Sequence, residues 1–446
     1  MSSITHNIDE KRIFIINRSE IKDRLDPIYF KTVHDLEIVA RTSFKVEKLS
    51  DIAEMKRGRF GHRPRNEPKL YGGKYPFIQT GDVVRASIEG GKIKYSQTLN
   101  ELGLQTSRLF EEIVMVITIA ANIGDTAILD YPACFPDSLI GIKPKDDNTL
   151  NLYYLNVYFK YLKNYLNNLA PQAAQKNINY QQLGPTPIVI PPIEIQEKIV
   201  KIYYDAFNNK QQKEKEAKAL IENIDTYLLN ELEISLLFRD NSISNRIFEV
   251  NLSNLSGDRF DAFSFYNSLL KVEGGKYKNI KLRELADIKK GQSITSDKVV
   301  TGDYPVIAGG KISPYSHNEF NYEGKTITVS ASGAYSGYVW YHNEPIFASD
   351  CCVIKAKDEN RITMDYLSEI LKLKQKEIYG LQQGAGQPHV YPSDLVKLNI
   401  PLPPVEIQNR ITENIFELRK KSIQLEKEAE LVLNDAKNNI EKMILG

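Results

Sequence analysis

Cysteine is scarce in this chain. Three occur in 446 residues, Cys134 and the adjacent Cys351 and Cys352. No Cys-x-x-Cys spacing exists, which argues against a zinc ribbon or a dithiol redox centre. An odd, sparse count suits a reducing cytoplasm. The start, MSSITHNIDEKR, lacks the apolar core of a secretory signal. No apolar run approaches the ~18 residues needed to span a bilayer, so no membrane partner is expected. The glycine-rich G-x-x-x-x-G-K-[ST] phosphate loop is missing, so ATP hydrolysis by this chain alone is not expected. Gly384-Ala385-Gly386 lacks the third glycine and the strand–helix setting of a dinucleotide site. No Asn-Pro-Pro-Tyr/Phe or Asp-Pro-Pro-Tyr segment occurs, the segment by which amino-type adenine methyltransferases resemble one another. Pro136-Asp137 is not followed by a nuclease-like Glu-x-Lys or Asp-x-Lys. The six histidines are scattered and offer no metal-ligand spacing. The expectation is a non-catalytic chain with no metal or cofactor of its own.

An excess of one charge is also missing. Lys and Arg number 58 against 57 Asp and Glu, a net charge of +1, which counts against a strongly basic nucleic-acid binder. Locally, however, basic residues cluster at 56–65 and acidic ones at 216–233, so the total conceals opposed faces.

What the chain does contain is a duplication. Pro191-Pro192-Ile193-Glu194-Ile195-Gln196 recurs as Pro403-Pro404-Val405-Glu406-Ile407-Gln408, an offset of 212 (403 minus 191). Lys48-Leu49, Asp51-Ile52-Ala53 and Lys56-Arg57-Gly58 are matched by Lys281-Leu282, Glu284-Leu285-Ala286 and Lys289-Lys290-Gly291. Between these anchors the halves diverge, so a shared scaffold carries two different surfaces. Two similar domains related by a pseudo-twofold axis are expected.

Each Pro-Pro opens a long stretch free of Pro and Gly, as suits a helix start. Ile195, Ile199, Tyr203, Ala206, Ala217, Leu220, Ile224 and Leu228 form one apolar stripe. Ile407, Ile411, Ile415, Leu418, Ala429, Val432, Ala436 and Ile440 form its counterpart. The polar run Asn208–Lys218 weakens the seam or shifts its phase. Helices this long need an apolar partner, and an antiparallel pair buries both stripes. Upstream of each helix the pattern is mixed. Strands are expected at Ile113–Ile119, Ala127–Leu129, Leu139–Ile142, Thr326–Val329, Gly337–Tyr341 and Cys352–Ile354, with helices at Asn151–Leu169 and Met364–Tyr379. The class is α+β: domains at 1–188 and 239–398, with long antiparallel helical spacers at 189–238 and 399–446.

Residues suited to DNA gather in loops. In the first domain Lys56, Arg57, Arg59, His62, Arg63, Arg65 and Asn66 are candidates, with Gln175, Lys176 and Asn177 just before the helix. In the second, Lys289, Lys290, Gln292, Ser293 and Thr295 hold the equivalent place, joined by Tyr335, Gln383, Gln387 and His389. Lysine and arginine suit phosphates, arginine suits guanine, and amides suit adenine.

Together, the two Pro-Pro-(Ile/Val)-Glu-Ile-Gln helix starts and the two segments preceding Lys-(Arg/Lys)-Gly resemble the specificity (S) subunit of Type I restriction–modification systems, from Arg24 to the C-terminus. The resemblance implies two target-recognition domains, each reading one part of a gapped double-stranded DNA target, on paired helices that act as a ruler. It implies two methyltransferase (M) subunits that carry S-adenosylmethionine and methylate adenine. It also implies restriction (R) subunits that use ATP and Mg for cleavage. The specificity subunit of a related system, with cleavage and methylation in one partner chain, fits the same residues. A protein-only coiled-coil scaffold and a fused enzyme are more distant readings.

Overall fold

The computed structural model describes residues 41–61, 66–90, 92–170, 177–235, 249, 272, 274–384 and 386–446. Two compact units emerge. The first runs to Lys215 and includes Glu426–Gly446, and the second is Glu216–Leu425.

The first unit is built on an antiparallel sheet of β1 (Ala53–Arg57), β2 (Val114–Thr118), β3 (Thr126–Leu129) and β4 (Leu139–Pro144), in the order β1-β4-β2-β3. The second repeats it with β5 (Ala286–Lys290), β6 (Thr326–Ser330), β7 (Val339–His342) and β8 (Cys351–Ala356), ordered β5-β8-β6-β7. β2 and β6 are buried along their whole length, as central strands covered on both faces must be. In each unit a short ribbon joins the chain's entry to its exit. Lys45–Lys48 pairs with Pro187–Ile190, and Asn279–Lys281 with Asn399–Pro401.

Where single helices were expected at Asn151–Leu169 and Met364–Tyr379, each is two. Leu152–Tyr161 is followed by Lys163–Leu169, and Met364–Leu373 by Gln375–Tyr379. The breaks at Leu162 and Lys374 occupy equivalent positions (162 plus 212). Neither involves proline or glycine, so the break is set by packing. Leu162 is fully buried, and the enclosed Lys374 ammonium turns aside to bond the Val272 carbonyl and Glu377.

The long helices are α1 (Ile193–Glu231) and α2 (Val405–Leu445). Their predicted apolar stripes are buried or half-buried throughout, and the antiparallel pairing is present within each unit. In the first, Lys213 bridges Glu428 at 2.6 Å. In the second, Ser422 donates to the Ala217 carbonyl at 3.0 Å, Asn414 to the Tyr227 hydroxyl at 2.8 Å, and Arg410 pairs with Glu231 at 2.8 Å. Numbers rising along one helix fall along the other. The polar run at 208–218 does not break the pairing, because polar contacts replace apolar ones there.

The repeated hexapeptide owes its glutamine to a joint. Gln196, fully buried, accepts from the Asn151 N–H at 2.8 Å and donates to the carbonyls of Thr149 and Pro191 at 2.9 and 2.8 Å. Gln408 does the same with the Thr363 N–H and the carbonyls of Arg361 and Pro403, at 2.9, 3.0 and 2.9 Å. A buried amide with its partners satisfied is tolerated where an unsatisfied one is not. The phenols of Tyr154 and Tyr366 add a second equivalent pair of bonds, to the carbonyls of Val189 and Pro401. Each long helix is thereby locked to its domain in its first turn.

Candidate nucleic-acid interface

The basic residues expected in loops sit partly on strands. Lys56 and Arg57 end β1, and Lys289 and Lys290 end β5. Successive strand residues point to opposite faces, so the sheet separates Lys56 from Arg57 and Lys289 from Lys290. The reading of one continuous basic loop is corrected by that alternation. Lys56 is further occupied by Glu54 at 3.2 Å.

In the first unit Arg57 donates through Nε to the Asp137 carbonyl at 2.5 Å, while Arg108 donates to the Arg57 carbonyl at 2.6 Å. Arg59, exposed, reaches the Gln105 carbonyl at 3.2 Å. Tyr180 opens the short helix Tyr180–Leu183 beside them. Burial pushes its hydroxyl up, while Arg57 and Arg108 pull it the other way. Asn177 is exposed, its backbone bridged to Ala120, and Asn66 is exposed at the edge of the described loop. His62, Arg63, Arg65, Gln175 and Lys176 lie outside the described residues.

The second unit brings more of its candidates together. The Lys290 ammonium lies 5.9 Å from the centre of the Tyr391 ring, and Tyr391 stacks on His389 with centroids 6.0 Å apart. His389 exchanges two 2.8 Å backbone bonds with Gln383 and bridges to Ser332. The turn that follows holds Lys311 over both Tyr335 and Tyr338, at 4.8 and 5.3 Å. Gly333 and Gly337 adopt positive φ there, which the turn requires. The loop after β5 is tied in by Gln292 N–H to the Ala348 carbonyl and Ile294 N–H to the Ser349 hydroxyl. Gln292, Ser293, Thr295 and Gln387 are exposed. The Thr295 hydroxyl is spent partly on Asp297, whose carboxyl it holds below the usual range. Gln383 is less free than its type suggested, because its amide donates to Asp394 at 2.6 Å.

The two units therefore share a device that sequence reading missed. A cation at the end of the first sheet strand, Arg57 or Lys290, lies beside a tyrosine at the start of a short helix, Tyr180 or Tyr391. The signal was available: the tyrosines precede the repeated Leu183 and Leu395 by three and four residues. Arg108 and Lys311 carried no comparable sequence signal, since each comes from the divergent part. Exposed cations such as Lys290, Lys311 and Arg108 near tyrosines suit phosphates and stacked bases; Arg57 itself is half-buried. Among the described residues no cluster of His, Cys, Asp and Glu can hold a metal, and no helix is long and apolar enough to cross a membrane.

A family model for the Type I restriction modification DNA specificity domain matches residues 42–223 and 275–434. One putative type I specificity subunit of Mycoplasma pneumoniae is 26% identical over 239 residues, 52% of this chain and 80% of that protein. Another is 24% identical over 180 residues, 36% of this chain and 58% of that protein. Among solved structures, the S subunit of a Type I system from M. genitalium aligns over 90% of this chain and 96% of its own, with TM-score 0.50 and 16% identity. A chain from a study of complex assembly and conformational transition of the type I R-M system aligns over 90% and 96%, with TM-score 0.56 and 14% identity. At these identities the structures establish a shared fold.

Proposed function

This chain belongs to the Type I restriction–modification DNA specificity family, and on that premise we propose that each of its units reads one part of a gapped double-stranded DNA target. The observation that carries this reading is the repeated sheet-end cation and tyrosine, set in one scaffold but surrounded by different side chains. Arg59 and Arg108 flank the first, and Lys311, Tyr335 and His389 the second. Similar placement with unlike neighbours is what two readers of unlike sequences need.

The chain supplies recognition and its partners supply chemistry. Two M subunits bring S-adenosylmethionine and methylate adenine, and R subunits bring ATP- and Mg-dependent cleavage, all in the cytoplasm. With a net charge of +1, the chain alone gains little from counterion release. Partner subunits that wrap the duplex would provide the missing phosphate contacts. Tight binding is therefore expected of the assembled complex and weak binding of the isolated chain.

The deciding experiment exchanges residues 239–398 for the second domain of another specificity subunit and sequences the methylome. One half of a bipartite adenine-methylated motif changes and the other persists. A motif that stays whole, or changes in both halves, overturns the assignment of one reader to each unit.

A further inference from the structure

The first unit contains a cavity of about 460 Å³ that DNA recognition leaves unused, within the range of small-molecule sites. It lies between the helix Thr80–Glu89, the edge strand β3, the helix Leu152–Tyr161 and the first turns of α1. Its wall is largely aromatic, with Tyr153, Tyr203, Tyr204 and Phe207. Gly90 helps form it: at φ +73° it approaches so closely that a Cβ there would meet the Phe207 ring at 2.1 Å.

Three lining residues hold buried polar atoms with no hydrogen-bond partner among the described residues: Asn156 Oδ1, Thr126 Oγ1 and Asp130 Oδ1. Asn156 is 4% exposed and Thr126 fully buried. The other half of the Asn156 amide is fixed, donating to the Tyr204 hydroxyl at 3.1 Å, so Oδ1 is left as a bare acceptor. The Lys160 ammonium is directed elsewhere, donating to the Ser87 hydroxyl and the Thr126 carbonyl, both at 2.7 Å, and toward the Ser87 carbonyl at 3.5 Å. Buried polar atoms are ordinarily partnered, and among the described residues these three are not.

The second unit carries different side chains at the equivalent positions. At the same offset of 212, Tyr153, Asn156 and Phe207 become Asp365, Ser368 and Arg419. Arg419 grips Glu369 with two bonds of 2.7 and 2.6 Å, Lys372 joins at 3.3 Å, and Tyr341 donates to Asp365 at 2.6 Å. A charge pair and a hydroxyl stand there in place of Phe207 and Asn156, so the shared scaffold does not dictate the aromatic and amide lining of the first unit.

We infer that this cavity binds a small planar molecule of one or two aromatic rings that carries an N–H donor, its rings against the aromatic wall and its donor directed to Asn156 Oδ1. A plain apolar socket for a protein side chain would not need the unpaired acceptors.

The test uses the full-length chain without DNA, probed with indole and with benzofuran, its isostere lacking the N–H, by ligand-observed NMR titration. Indole is expected to bind, and benzofuran at least tenfold more weakly. Asn156→Leu should abolish that preference. Val200→Trp, on the α1 rim, should abolish binding while melting like the parent; Ile128→Trp, on the edge strand, is the second blocking variant should the first not fold. Absence of indole binding, equal affinity for benzofuran, or undiminished binding in a folded blocked variant each overturns the inference.

Discussion

Replacing Gln408 with leucine preserves side-chain volume and deletes three hydrogen bonds at once. The Pro403 carbonyl is the most enclosed partner, and the Thr363 N–H and Arg361 carbonyl are part-buried. An orphaned buried group costs roughly 1–3 kcal/mol, and a group that water can reach costs less. About 2 kcal/mol for the carbonyl and about 1 for each of the others gives roughly 4, offset in part by burying leucine in place of an amide. A loss of about 2–4 kcal/mol is expected. At ~2–4 °C per kcal/mol for a unit of this size, that lowers Tm by roughly 5–15 °C. Differential scanning calorimetry of the full chain measures it. Gln408→Glu separates the two roles of the amide. A carboxylate still accepts from Thr363 but faces two carbonyl oxygens, so it should be at least as destabilising at neutral pH and recover partly in acid, when the protonated group can donate. Gln196→Leu should behave alike, since its bonds are equivalent. A Gln408→Leu protein melting within 2 °C of the parent would refute the view that this joint holds helix to domain.

Three further outcomes are expected. His342 bonds to Thr328 at 2.9 Å, and burial, aided by Lys372, pushes its imidazole down to about 4. Its folded value lies below the unfolded one of ~6.5, so the unfolded chain binds more protons between them, and up to roughly 3 kcal/mol drains away as pH falls from 6.5 to 4; urea titrations of His342→Gln should lack that slope. Burial raises the Glu369 carboxyl, but Arg419 and Lys372 outweigh it and hold it below its usual range. Arg419→Leu leaves that carboxylate with Lys372 as its one cation and the Ser368 hydroxyl at 3.4 Å, and about 2–4 kcal/mol should be lost in chemical denaturation, partly regained on adding Glu369→Gln. Lys290→Ala should leave Tm unchanged, since the side chain is exposed, yet weaken DNA binding by the assembled complex and reduce its salt slope by about 1 in fluorescence anisotropy; an unchanged slope would remove Lys290 from the phosphate contacts.

The large features were legible because they depend on periodicity. The stripes from Ile195 to Leu228 and from Ile407 to Ile440 dictate two helices, and the doubled Pro-Pro hexapeptides mark their starts. Strands were read within a residue or two at Leu139 and Thr326, where apolar runs are bounded by turn residues. Sheet order was not legible, because β1 and β4 are distant in sequence and buried runs carry no mark of their neighbours. Nor were the breaks at Leu162 and Lys374, which tertiary packing imposes on sequence that would otherwise continue as helix. The site was legible as a region and not as a geometry. Strand alternation parts Lys289 from Lys290, and Tyr391 enters only because the fold carries a short helix back to the sheet end.

The glutamine joints address main-chain atoms alone: one N–H and two carbonyls in each half. No side chain of the domain takes part in those bonds, so the connection is indifferent to what the domain's surface is made of. Such a coupling lets one head be traded for another during evolution without the shaft having to change. New specificities can then arise by exchange at these junctions, sparing the parts that every version shares.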